Sequence, residues 1–168
     1  TKEFGLIRAT VQSVRQLKSK QRYGLQLFSH STVRLVLGKE MWRLIGVEAH
    51  ESFGLTLARK EHAYGIMARA SRLLIRLVQG EEKNQRLYHE LHQACKFLVD
   101  QSLNDETTQY FETLLILRLL YHLGYWPQQH DAPWLVDAEL SHEVLEQTAS
   151  DQTNLIERIN ASLRETQL

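Results

Sequence analysis

The sequence predicts an α+β protein in which a small β-module precedes an all-helical body. Two observations lead to this fold class. The spacing of apolar residues changes from a period of two to a helical period near Leu55, and the charge changes sign at about the same place. Residues 1–47 hold nine basic and two acidic side chains, a net charge of +7, whereas residues 48–168 hold eleven basic and eighteen acidic ones, a net charge of −7. We therefore expect a basic domain at 1–50 and a helical domain at 51–168.

The β-module is predicted from strict alternation of apolar and polar residues, which is typical of half-buried strands. Residues 6–14 alternate in this way, and the alternation resumes at 23–27 and again at 33–37. Residues 38–40, Gly-Lys-Glu, predict a tight turn into a partner strand at 41–47. A β-meander of this size fits part of a five-stranded barrel, so we expect an OB-fold-like small β-barrel.

The body is predicted from apolar residues at helical spacing. Residues 55–78 form the first expected helix, which Gly80 stops, and residues 85–100 form the second. Residues 106–123 are apolar around most of the circumference and should be the buried central helix, with Gly124 as a left-handed C-cap. Two shorter helices are expected afterwards, one capped by Asp137 and ending at 147, and one capped by Ser150 or Asp151.

No arrangement of residues in the sequence indicates catalysis, so we predict that the protein is not an enzyme. It contains no glycine-rich phosphate loop and no GxSxG nucleophile turn. Cys95 is the only cysteine and lies on the apolar side of its helix, where a small core residue is expected rather than a nucleophile. A chain with one cysteine and no apolar run of ~20 residues predicts a reducing, cytoplasmic location and no membrane span.

Histidine offers the one pattern that resembles a metal site. His89, His92 and Cys95 follow one another at steps of three on one predicted helix. Such steps drift around the helix, and Cys95 faces the core, so the three do not converge tetrahedrally. We expect surface histidines beside the acids Glu82 and Glu90, and no metal or cofactor.

The strongest constellation is a basic loop between the first two predicted strands. Long cationic side chains in such a loop can follow a phosphate backbone, although a solvated basic face without a ligand is the alternative. Of the nearby aromatic residues, Phe28 and Trp42 are expected to be buried, and Tyr23 could either be buried or stack on a base. The candidate DNA-binding residues are Arg8, Arg15, Lys18, Lys20, Arg22, Lys39 and Arg43.

A second basic row, Arg69, Arg72 and Arg76, lies opposite the leucines of the first predicted helix. A row of this kind is usually a solvated helix face. It could also pair with the acid-rich end of the same chain, or receive an acidic peptide if an apolar groove lies beside it.

Several segments resemble the bacterial recombination mediator family RecO. Their order and spacing carry the resemblance, because no single motif is highly specific. The similar segments are residues 1–8 (TKEFGLIR), 18–22 (KSKQR), 25–28 (LQLF), 38–44 (GKEMWRL), 70–74 (ASRLL), 112–120 (ETLLILRLL), 123–127 (LGYWP) and the closing helix 159–168. The family pattern carries about one more strand pair before the position of Thr1, so the barrel here would lack its first strands. Many members also carry a four-cysteine zinc module where residues 130–137 contain no cysteine, so that metal does not carry over.

The resemblance implies an OB-fold that binds single- and double-stranded DNA, anneals complementary strands and helps to load RecA on coated DNA. It implies three kinds of partner: DNA, the acidic C-terminal tail of the single-strand-binding protein (SSB), and RecR, at a cytoplasmic, nucleoid-associated location. Candidate residues for the SSB tail are Arg69, Arg72, Arg76, Arg118 and Tyr121. The alternative function is an interaction adaptor in which the basic loop is incidental.

Overall fold

The computed structural model describes residues 1–11, 21–78, 80–126 and 133–166, with the backbone alone at residues 21–22 and 133–134. It confirms the mixed α+β class. Three described strands form one sheet in the order β1-β3-β2, with bounds β1 Ala9–Val11, β2 Ser29–Leu37 and β3 Trp42–Ser52. These strands form an open sheet, not a closed barrel, and much of the predicted basic loop, residues 12–20, lies outside the described residues.

The predicted hairpin is confirmed in strands β2 and β3. They pair antiparallel from Ser29 opposite Ser52 to Leu37 opposite Trp42, and the turn closes with the Gly38 N–H donating to the Met41 carbonyl at 3.0 Å. Strand β1 pairs parallel to β3, with Thr10 opposite Arg43. Of the strand predicted at 6–14, residues 9–11 form β1 and residues 6–8 lie before it, while residues 12–14 are outside the described residues.

The strand predicted at 23–27 is wrong, because this segment folds into a short helix, α1 (Gln21–Gly24), and a turn. Gly24 packs so closely against β3 that a Cβ there would lie 2.3 Å from Cγ1 of Val47. The turn ends at Phe28, whose φ of 57° reverses the chain. Phe28 also accepts a hydrogen bond from the Phe53 N–H at 3.1 Å, which starts the pairing of β2 with β3.

The body contains helices at almost all of the predicted positions, with two corrections to their bounds. The observed helices are α2 Gly54–Ala58, α3 Glu61–Leu77, α4 Gln85–Asp100, α5 Asp105–His122, α6 Pro133–Asp137, α7 His142–Ser150 and α8 Gln152–Glu165. The single helix predicted at 55–78 is broken at Lys60, whose φ and ψ are −113° and 86°. Its ammonium group donates instead to the carbonyls of Leu98, Val99 and Gln101, which lie at the end of α4 and just after it.

The second correction concerns Asp137, which ends a helix and does not cap one. The following helix, α7, begins at His142, and the Ser141 hydroxyl accepts from the Val144 N–H at 3.3 Å. Asp151 stands at the N-cap position of α8 as predicted, although its carboxylate binds the Asn154 side chain and not a backbone N–H.

Helix α5 is the buried centre of the body, as its apolar circumference predicted. Phe111, Leu114 and Leu115 are fully buried. Gly124 takes the predicted left-handed conformation, with φ of 79°, and the next N–H, of Tyr125, donates to the Leu120 carbonyl at 2.9 Å. Among the described residues, no helix is both long enough and apolar enough to cross a membrane.

Cys95 is buried in this core, as its place in the helix pattern predicted. Burial raises the pKa of its thiol to about 12. Because the thiolate is the reactive form, a thiol with this pKa is unreactive near neutral pH.

Candidate nucleic-acid interface

One face of the sheet is exposed and carries basic side chains. Strand alternation places Arg34 and Val36 on the same side of β2, and Val36 pairs with Arg43 on β3, so these three side chains share a face. Arg8 immediately precedes β1, and Lys39 lies in the hairpin turn; both are exposed. We call Arg8, Arg34, Lys39 and Arg43 the basic face.

The side chain of Arg34 lies across the sheet, over the glycine on the neighbouring strand. Its pairing partner is Gly46, where a Cβ would lie 2.7 Å from Nε of Arg34 and 2.9 Å from Nη2. A side chain at position 46 would therefore push the guanidinium off β3. Arg34 was not among the predicted site residues, although the inward pattern of Val33 and Leu35 already placed it outward.

The basic face carries uncompensated positive charge. Within the described part of the chain, no ion pair joins any of its four cations to an acid. The acids of the same hairpin are Glu40 in the turn, and Glu48 and Glu51 on β3. Glu51 is bound by His30 and His92, so the exposed acids near the four cations are Glu40 and Glu48, and the surface that remains is positive and attracts polyanions.

The aromatic residues that lie near the predicted basic loop in the sequence divide as the sequence suggested. Trp42 is half-buried: its ring lies 5.4 Å from that of Phe4, and its indole N–H donates to Oε1 of Glu81 at 2.7 Å. Phe28 is half-buried against the core and meets Tyr64 edge to face at 5.7 Å. Tyr23, which the sequence left open, is 57% exposed and is free to stack on a base.

The remaining predicted DNA-binding residues are not described in full. Arg15, Lys18 and Lys20 lie outside the described residues, and Arg22 lies in α1 with only its backbone described. Of the seven predicted positions, the structure places Arg43 on the exposed face of the sheet, and Arg8 and Lys39 at exposed positions just outside its strands.

The predicted arginine row for an acidic peptide is present on α3. Arg69, Arg72 and Arg76 are all exposed. Arg69 is bound by Glu112 of α5 through Nε–Oε1 at 2.5 Å and Nη2–Oε2 at 2.8 Å, and these hydrogen bonds raise its pKa. Within the described residues, Arg72 and Arg76 have no such partner, so an incoming anion would meet them first.

Arg118 does not belong to an exposed site, because it is only 2% exposed. Its Nη1 donates to Oε1 of Glu90 at 3.1 Å, its Nε to the Leu135 carbonyl at 2.7 Å and its Nη2 to the Ala138 carbonyl at 2.8 Å. It joins α5 to α4 and to the chain around α6. The prediction that Arg118 binds an acidic tail is therefore wrong, because its charge is already paired with Glu90 inside the body.

Tyr121 is also separated from the arginine row. It follows Glu112, the partner of Arg69, by nine residues, which is two and a half turns, so it projects from the opposite side of α5. The five predicted tail-binding residues therefore do not form one groove.

A cavity of about 410 Å³ with a mixed polar and apolar lining lies between α3, α4, the end of α5 and the N-terminal residues. Its walls include Leu74 and Leu77 from the helix that carries the arginine row, and Leu87 and Leu91 from α4, with Lys83 at one side. Leu74 and Leu77 belong to the buried side of α3, opposite the arginine row, and none of the three arginines lines this cavity.

Three side chains from distant parts of the sequence meet where the sheet contacts α4. Nδ1 of His30 lies 2.9 Å and Nε2 of His92 lies 2.7 Å from the same carboxylate oxygen, Oε2 of Glu51. Hydrogen bonds from His92 first and His30 second lower the pKa of Glu51. We call these residues the His-Glu-His cluster. The sequence analysis compared His92 only with His89 and Cys95 and expected a surface histidine, whereas His92 is half-buried and bound to Glu51; helical spacing carries no information about residues 30 and 51.

This chain matches no protein-family model, and no curated protein matches it closely enough to indicate a family.

Proposed function

We propose that this chain is a non-enzymatic DNA-binding protein that acts as a recombination mediator. It binds single- and double-stranded DNA without sequence preference, anneals complementary strands and helps to load RecA on SSB-coated DNA. The observation that carries the proposal is the basic face, whose four cations have no acidic partner among the described residues. The resemblance of the sequence to the RecO family supplies the biological role and the assignment of the β-module as OB-fold-like.

The basic face suits binding to the phosphate backbone. Long cationic side chains that project from a sheet neutralise phosphates and release condensed counterions, which drives binding of any sequence. Because such contacts leave the base edges free, two strands held this way can still pair. Annealing follows, since the protein lowers the repulsion between two polyanions.

The acidic SSB tail is proposed to bind the body on the exposed face of α3, where Arg72 and Arg76 offer positive charge. Arg69 contributes only if a tail carboxylate displaces Glu112. RecR is proposed as a partner on the resemblance alone, with no surface assigned.

The test is annealing of two complementary oligonucleotides, first bare and then coated with SSB from the same organism. The mediator proposal expects acceleration on both. We expect Arg34→Glu with Arg43→Glu to abolish it, and Arg86→Glu with Lys96→Glu, an equal charge change on exposed positions of α4, to preserve most of it. Acceleration on bare strands alone would remove the mediator role, and no acceleration on either would remove the DNA-binding role.

A second candidate is an adaptor in which the sheet binds protein. Exposed apolar side chains on the hairpin favour it: Val36 is 48%, Leu37 64% and Met41 44% exposed. Oligonucleotide binding that weakens steeply with salt supports the mediator, because counterion release requires phosphate contacts. A chain that captures a protein partner and does not bind oligonucleotides at low salt would be the adaptor.

A further inference from the structure

The His-Glu-His cluster joins the two parts of the fold. His30 lies on β2 directly opposite Glu51 on β3, and His92 comes from the middle of α4 in the body. The imidazole rings of His30 and His92 are 4.5 Å apart. All three side chains are half-buried, so a solute can reach them.

The geometry of the cluster is that of a ligand set. The three ligand atoms lie within 4.8 Å of one another. Zinc with bonds of about 2.0–2.1 Å in a tetrahedral arrangement holds its ligand atoms about 3.3 Å apart. The two contacts to Oε2 of Glu51, at 2.9 and 2.7 Å, are a few tenths of an ångström shorter. Small side-chain rotations would therefore open a position equidistant from all three atoms.

The chemistry of the set selects a class of ion. Two imidazole nitrogens with one carboxylate oxygen are the ligands of zinc and related transition ions, whereas magnesium and calcium prefer oxygen alone. Three protein ligands leave a fourth position for water or a further side chain. A further histidine, His50, lies nearby: its ring is 5.5 Å from that of His30, and its Nε2 contacts the Thr32 hydroxyl at 2.6 Å.

The surroundings hold the cluster in place. The Phe53 ring packs 5.6 Å from that of His92, and the Tyr88 ring lies 6.2 Å from that of His30. One register shift of the sheet lies between His30 and Ser31 on β2, where the pairing partner on β3 changes from Glu51 to Ala49. Such irregularities re-aim side chains at the end of a strand pair.

We propose that His30, Glu51 and His92 bind a divalent transition-metal ion, with zinc as the preferred ion, and that this ion fixes the sheet against α4. The proposal is independent of DNA binding. Because the ligands come from both parts of the fold, the bound ion would act as a cross-link and raise the stability of the docked arrangement, as any ligand of the native state does.

The test uses the full chain, stripped with a chelator and titrated with zinc near pH 7.5, where imidazole is neutral. We expect one zinc ion per chain and a rise in melting temperature. His30→Gln with His92→Gln should weaken zinc binding by more than about 100-fold, which exceeds the usual loss from a supporting residue. The matched control is His62→Gln with His89→Gln, which removes two exposed histidines outside the cluster and should leave the affinity unchanged.

A second variant tests the site with a smaller structural change, so that the result does not depend on the folding of the first variant. Glu51→Gln keeps the size and a hydrogen-bonding oxygen but removes the charge, and it should weaken zinc binding while far-ultraviolet circular dichroism stays native. Cobalt in place of zinc should give the visible absorption of a four-coordinate ion in the parent and in the control pair, and lose it in Glu51→Gln. Zinc affinity equal in the parent, the cluster variants and the control pair would overturn the proposal, as would an absence of zinc binding in the parent.

Discussion

The helical body and the sheet differ in how their side chains meet water. In the body, α5 alone buries Phe111, Leu114, Leu115 and several more leucines completely. In β2 and β3, Gly46 is the only described residue that is buried, and every other position is half-buried or exposed. The stability of the chain therefore resides in the body, and the sheet is a surface that the body supports.

This difference explains why the sheet can serve as a binding surface. Three strands with little buried area are marginal without support. Phe28 and Phe53 pack on or within the core of the body, and Trp42 reaches Glu81 just before α4. The sheet is thus held at its edges, and the face that carries Arg34 and Arg43 stays open.

The largest expected effect in the body is at Arg118. Arg118→Met should lower the free energy of unfolding by about 3–5 kcal/mol, because it leaves the buried carboxylate of Glu90 without its partner. The carbonyls of Leu135 and Ala138 lose their donors as well. Urea denaturation checks this, with Arg86→Met on the exposed side of α4 as control. Equal midpoints for the two variants would contradict the structural role of Arg118.

The contrast between core and sheet is tested next by two apolar truncations. Leu115→Ala should cost about 2–5 kcal/mol, since Leu115 is fully buried. Val36→Ala should cost less than about 1 kcal/mol, since Val36 is half exposed and only strand propensity changes. Denaturant midpoints measure both. A Val36 variant as damaging as the Leu115 variant would mean that the open face of the sheet is covered in solution.

A smaller effect is expected at the start of α5. Asn104 accepts a hydrogen bond from the Thr107 N–H at 2.8 Å, so Asn104→Ala should cost about 1 kcal/mol. Asn160→Ala, at an exposed position inside α8, is the matched control and should be neutral or slightly stabilising. If both changes had the same effect on thermal unfolding, the cap would contribute nothing.

The smallest predicted effect is a dependence on pH. Burial lowers the pKa of His122 below its usual value. The unfolded state then binds a proton at a higher pH than the folded state does. The folded protein therefore has its full stability above about pH 6.5, the ordinary pKa of histidine, and loses part of it as the pH falls through the lowered pKa of His122. His122→Gln should flatten this loss in denaturation curves taken from pH 7.5 down to pH 5. A variant whose pH profile matches that of the parent would exclude His122 as the cause.

The sequence predicted the body better than the sheet, for physical reasons. The helical periodicity around α5 and the glycine after it are local signals, so the central helix and Gly124 were found. Lys60 separates α2 from α3, and its ammonium group binds carbonyls at the end of α4. No local sequence pattern reveals a contact with so distant a segment. Alternation at 23–27 predicted a strand because it carries no information about the close contact of Gly24 with β3.

The candidate sites divide in the same way. Exposure of Arg8, Lys39 and Arg43 followed from charge and alternation, which are properties of neighbouring residues. Arg118 was misplaced as a surface cation because its partners, Glu90 and the chain near α6, lie far away in sequence. The His-Glu-His cluster was missed for the same reason.

The most direct test of the central claim is the salt dependence of binding to a fluorescent single-stranded oligonucleotide. For the parent chain we expect affinity to fall linearly on a log–log plot, with a slope of about −0.7 for each phosphate contacted. Arg34→Glu with Arg43→Glu should weaken binding at least about tenfold and reduce the slope by roughly 1.4, that is, by two contacts. No binding at low salt, or a slope that the double variant leaves unchanged, would contradict the assignment of the basic face as the DNA-binding surface.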